Sequence, residues 1–201
     1  MKRVALLTLL ALALPLAAFA DSIDTTNSGG TLTGSSAGLT LTGSELIAVN
    51  GLNGLGLVTG DLGSVSFSTA AMAGGSLQMG GTFAAGGSFV ITGNGTNGIP
   101  NGAIFSGTFS GPATWTLVTL ANGTHNYTLT GAVAGSLNGN FFTNGVTVQL
   151  TINTGRGFFN GRTHISSGDT NVVVPEPGSL SLLGTGLLGL AGVIRRRLKV
   201  S

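Results

Sequence analysis

The sequence predicts an all-β chain, a Gly/Thr/Asn-rich antiparallel β-sandwich or jelly roll, with a β-solenoid as the alternative and a C-terminal transmembrane helix in addition. Three observations carry the prediction. From Leu32 to Ile165 short runs of β-branched or aromatic residues are broken by glycine, as strands are. No stretch there holds a convincing helical period. Asn-Gly occurs nine times, several times between strand candidates, and both residues tolerate the positive φ of tight turns.

Taken in chain order, the Gly/Ser/Thr-rich segment 25–38 reads either as a flexible lead-in or as an edge strand. Strands are expected at 38–42, 62–68, 87–92 and 103–109. Trp115 to Leu120 and Tyr127 to Val133 flank Asn122-Gly123 as the arms of a hairpin. Val146 to Ile152 alternates apolar and polar residues without a break, the pattern of a strand burying one face. Gly-Thr-Phe recurs at 81–83 and 107–109, but no fixed period links the copies, which keeps the solenoid second. Ser166 to Val174 reads as a linker. The domain boundaries are therefore 1–20, 21–165, 166–174 and 175–201.

Composition restricts the chemistry. Charged residues are 7% of the 201 and Gly is 36 of them, against roughly 25% and ~7% in ordinary soluble domains. Ser, Thr and Asn must therefore solvate the surface. Six of the eight bases, Lys2, Arg3, Arg195, Arg196, Arg197 and Lys199, lie at the ends. Arg156 and Arg162 face Asp21, Asp24, Glu45, Asp61 and Asp169 in the central region, a net charge of −3 that disfavours nucleic-acid binding. With no cysteine, disulfides and thiolate-held metals are excluded.

Both ends carry sorting information. Lys2 and Arg3 precede the apolar run Val4 to Leu14, and Ala18-Phe19-Ala20 before Asp21 fits an A-x-A cleavage site. That order and length describe a signal peptide over residues 1–20, a substrate for signal peptidase. The other end reads Val174-Pro175-Glu176-Pro177-Gly178, an apolar stretch to Ile194, then Arg195-Arg196-Arg197-Leu198-Lys199. Residues 178–194 just reach the roughly 17-residue minimum for a membrane span. Pro175 and Pro177 keep Glu176 ahead of the helix. The basic cluster Arg195, Arg196, Arg197 and Lys199 favours the cytoplasmic side, so both ends send the central region outward.

This tail resembles the PEP-CTERM sorting signal. The resemblance implies that Pro175, Glu176 and Pro177 form a processing motif for an exosortase-like enzyme, and that the chain is held in the membrane by its C-terminal helix before reaching the cell surface or exterior. It covers only about residues 174–199 and implies nothing about the central region. A permanent, unprocessed anchor is the plainer alternative.

Inside the central region the catalytic supply is poor. Glycoside hydrolysis needs two positioned carboxylates, and only Glu45 and Asp61 are available, with Asp169 near the exit. His125 and His164 lack zinc-site spacing, and a G-x-S-x-G nucleophile elbow is not expected in the strand-turn contexts. Ser167 to Asn171 offers one acid, too few for tight calcium binding. Trp115 and Tyr127 are candidate carbohydrate contacts if their shared sheet face is exposed, and core residues if it is not. The expectation is a noncatalytic surface or extracellular-matrix protein of a bacterium, without cofactor or metal; the alternative is a polysaccharide-binding surface module.

Overall fold

The computed structural model describes residues 22–173, with side chains throughout except at 140–146. Thirteen strands occupy this range: β1 Ser22–Ser28, β2 Thr31–Ser35, β3 Gly38–Asn50, β4 Val58–Thr69, β5 Met72–Ser76, β6 Gly80–Phe83, β7 Gly87–Asn94, β8 Asn101–Phe109, β9 Ala113–Thr119, β10 His125–Leu137, β11 Asn140–Asn153, β12 Arg162–His164 and β13 Gly168–Val173. Each of the seven segments expected as strands lies within one of them or overlaps it by all but one residue.

The sheet closes on itself. β11, β13, β1, β3, β4, β7, β8 and β10 are hydrogen-bonded in that order, and β10 pairs again with β11, giving an eight-stranded barrel in which every pairing is antiparallel. The expected sandwich or jelly roll, and the solenoid alternative, are thereby corrected. A sandwich leaves sheet edges, whereas full closure removes them. Closure depends on β1 and β13, which pair from Ser22↔Val173 to Asn27↔Gly168. Of the two readings of 25–38, the strand holds: the stretch contains most of β1, which is paired on both sides and so is not an edge, and all of β2; most of the stretch expected as a linker is a barrel stave.

Eight staves leave an interior that side chains can fill. β10 alternates buried and more exposed positions over its thirteen residues. The inward set is mostly apolar, Leu41, Val65, Phe89, Ile91, Phe105, Val133 and Leu150 among it, while Ser, Thr, Asn and Gly predominate at outward positions. That polarity is opposite to a lipid-facing barrel wall. Phe89 lies against Phe67, Phe105 and Phe109 at ring-centroid distances of 6.0, 6.2 and 6.5 Å. Inward glycines make room for their neighbours: a Cβ at Gly131 would meet Phe109 Cδ1 at 2.6 Å, and one at Gly107 would run into Val133 Cγ1 and crowd Phe105 Cζ at 3.2 Å.

Turn chemistry connects the staves. Asn138 (φ 48°) and Gly139 (φ 81°) join β10 to β11, and positive φ at both central residues is what a tight hairpin requires. Asn138 Nδ2 donates to Asn53 Oδ1 at 2.8 Å, tying this turn to the 3-10 turn Leu52–Gly54. Off the barrel, β6 and β5 extend the sheet from β9, which pairs with the first half of β10. β2 and β12 pair beside β3.

Among the described residues no helix is long and apolar enough to cross a membrane. The expected signal peptide 1–20, the helix 178–194, the motif Pro175, Glu176, Pro177 and the cluster Arg195, Arg196, Arg197 and Lys199 lie outside the described residues.

Candidate functional site

Trp115 and Tyr127, the sequence's candidates for sugar contact, are brought together but not exposed. Each is at most 1% accessible, because β9 and β10 turn the face that carries them under the β5–β6 hairpin. Their rings stack at 4.8 Å and Phe159 meets both edge-on. Trp115 Nε1 donates to Leu77 O at 2.9 Å and Tyr127 Oη to Gln78 O at 2.8 Å. Tyr127 Oη also accepts from Phe159 N at 3.0 Å. Two aromatic side chains thus hold the tip of the β5–β6 hairpin and the loop after β11. With ring faces and polar atoms occupied, this pair is corrected from carbohydrate contact to core.

Beside it, at the same rim, sits an aromatic that the sequence did not single out. Phe158 is 49% exposed and stacks on buried His125 at 4.2 Å. His125 Nδ1 lies 3.1 Å from Thr119 Oγ1. No sequence signal separates Phe158 from Phe159; only the packing of the loop turns one out and the next in.

The other chemistry-bearing residues stay apart. Glu45 and Asp61 are on the exposed outer surface, and Asp61 Oδ1 accepts from Asn94 Nδ2 at 3.2 Å. His164 Nδ1 lies near Thr31 Oγ1 and Gly30 O. Gly34-Ser35-Ser36-Ala37-Gly38 does spell G-x-S-x-G, correcting the expectation that the pattern is missing. It turns between β2 and β3 with no helix following, and the nearest strand histidine, His164, is paired back at Thr31. It lacks the strand-turn-helix setting that defines an elbow. Among the described residues no group of three His, Cys, Asp or Glu could hold a metal ion.

What the fold does assemble is a polar outer face. Cross-strand partners set Thr116, Thr128, Thr151, Asp169 and Thr26 in one rank over β9, β10, β11, β13 and β1. Thr130, Gln149, Asn171 and Asp24 form the neighbouring rank. All are exposed or half-buried. Thr128 and Thr151 hydroxyls lie 3.1 Å apart. In a third, shorter rank Asn153 Nδ2 donates to Asn126 Oδ1 at 2.7 Å.

A closed antiparallel barrel with a filled core and a nearly uncharged polar exterior is the class of protein these features define. Its C-terminal stretch specifies the route it takes: residues 173–197 match the family model of the PEP-CTERM protein-sorting motif. The tail is therefore a PEP-CTERM sorting motif, the mark of an exosortase-sorted exported protein. No curated protein and no solved structure matches the chain.

Proposed function

We propose that this is a noncatalytic bacterial cell-surface or extracellular-matrix protein, exported by its signal peptide, held in the membrane by residues 178–194 and delivered by an exosortase-like enzyme acting near Glu176. The match at residues 173–197 carries this reading. It begins at the last residue of β13, so a cut after Glu176 would leave all thirteen strands attached to the released part. The polar exterior and the scarcity of positioned acids, bases and nucleophiles support a structural role over a catalytic one. Trp115 and Tyr127 no longer favour the polysaccharide-binding alternative.

The test is the intact mass of the protein from host membrane and extracellular fractions, with and without the sorting enzyme. A species from near Asp21 to near Glu176 that depends on the enzyme supports the reading. A membrane species that keeps Arg195 to Ser201 regardless of the enzyme sinks the sorting claim.

A further inference from the structure

We propose that Leu55 and Leu57, on the loop between β3 and β4, dock the barrel end-on against the lipid surface that holds its own tail. The proposal rests on the reading that residues 178–194 lie in the membrane before the chain is cut.

The loop is built to present the two leucines. Leu52 is buried and anchors it, and Asn53 Oδ1 accepts from Asn138 Nδ2 at 2.8 Å. Two backbone bonds close its base, Gly51 N to Leu55 O at 3.1 Å and Leu55 N to Leu52 O at 2.9 Å. Leu55 is 37% and Leu57 69% exposed. A Cβ at Gly54 or Gly56 would have no atom within 4 Å, so the segment projects from the barrel rather than lying along it.

The end of the barrel that carries this loop is the end where the chain leaves. Ser22 pairs with Val173 and Asp24 with Asn50, and a Cβ at Gly51 would meet Ser22 O at 2.6 Å. From Val173 to Gly178 there are five residue steps, which reach at most about 18 Å when extended. Crossing the headgroup layer takes about 5–8 Å of that, so this end of the barrel is tied within about 10–13 Å of the lipid surface.

The opposite end also exposes apolar groups, Met79 and Phe158 among them, but the tether cannot bring it down. β10 runs over thirteen residues from His125 at that end to Leu137 at this one, roughly 30 Å of height for a tilted stave. Laying the barrel on its side would desolvate the hydroxyls and amides of its outer wall with nothing to pair them. End-on docking leaves that wall wet and buries the leucines, and a short tether supplies the effective concentration that lets so small an apolar contact persist. Charge does not assist: Arg156 and Arg162 are the two bases among the described residues, and both belong to the opposite end, where Gly155 O accepts from His125 N and Arg162 pairs with Thr33. The surface that fits is a neutral, zwitterionic one.

Because the chain has no cysteine, Leu57→Cys places a single environment-sensitive fluorophore, and Met79→Cys, at a position also 69% exposed, is the far-end control. Each full chain is purified from a host lacking the sorting enzyme, reconstituted into phosphatidylcholine vesicles, floated, and measured with nitroxide-labelled lipid as quencher. The Leu57 probe should shift to the blue and lose about half of its emission, as befits a group about 5–10 Å into the interface, and should do so equally in about 0.5 M salt. The Met79 probe should keep its emission. Leu55→Cys takes the place of Leu57→Cys should Trp115 fluorescence show that variant unfolded. In chains that float, equal quenching at both ends, quenching at neither, or quenching that salt abolishes overturns the proposal. A blue shift that nitroxide lipid leaves untouched would assign Leu57 to contact between copies and also overturns it. Chains that do not float with the vesicles would overturn the membrane reading itself and this inference with it, whereas floating chains unquenched at Leu57 sink this inference alone.

Discussion

Replacing Tyr127 by Phe removes one oxygen and leaves every ring contact in place. That oxygen serves two segments: it donates to Gln78 O at 2.8 Å and accepts from Phe159 N at 3.0 Å. Losing the first bond costs about 0.5–1.5 kcal/mol, and leaving the buried Phe159 N–H unpaired costs about 1–3 kcal/mol. Because the two losses share one site, they will not add in full, and about 2–3 kcal/mol is the expected destabilisation. For a domain of roughly 150 residues each kcal/mol shifts the melting temperature by about 2–4 °C, so a fall of about 4–12 °C follows. Trp115 is the only tryptophan and stacks on the altered ring, so its fluorescence reports unfolding at the site. Thr116→Val on the outer face is the control, expected within about 0.5 kcal/mol of the parent. A Tyr127→Phe protein as stable as that control would refute the assignment of this hydroxyl as the clamp between hairpin and loop.

Crowding inside the barrel makes Gly131→Ala destabilising by about 1–3 kcal/mol, since the new methyl meets Phe109 at 2.6 Å; a urea midpoint unchanged from the parent would contradict the interior packing. Gly139→Ala, at φ 81°, should cost about 1–2 kcal/mol through backbone strain, read as a lowered melting temperature with the fold retained. Ending the chain after Glu176 should leave cooperative unfolding intact by calorimetry. Ending it after Ser167 removes β13, exposes the edges of β1 and β11, and should abolish that transition; a cooperative transition in this shorter chain would show that closure is dispensable.

Several features were legible without coordinates because the information they need is local. The alternation from Val146 to Ile152 marks a strand whatever its neighbours, and Asn138-Gly139 marks a turn because few other dipeptides accept its dihedral angles. The sorting motif is read from residue order alone. Segments 25–38 and 166–174 resisted reading for a physical reason. Their inward positions carry Thr25, Asn27 and Thr170 beside Leu32 and Val172, all at most 2% exposed, so the apolar alternation that announces a strand is broken. β1 and β13 are strands because each completes the other's hydrogen bonding across most of the chain, with Thr25 paired to Thr170, and β2 is held between β3 and β12.

The aromatic residues show the same division. A period of two says that Trp115 and Tyr127 share faces with their alternate neighbours, but it does not say which face is wet. Covering by Leu77, Gln78 and Phe159 decided that, selecting core over sugar contact for the pair and leaving Phe158 outside. By itself, the sequence determined the β class, the turns, the uncharged polar surface and the sorted tail, since each is written in contiguous residues. Only the tertiary structure decided the barrel, the clamp at Tyr127 and the ranks of the outer face, because these arise from pairings between strands distant in sequence, whose partners no local pattern names.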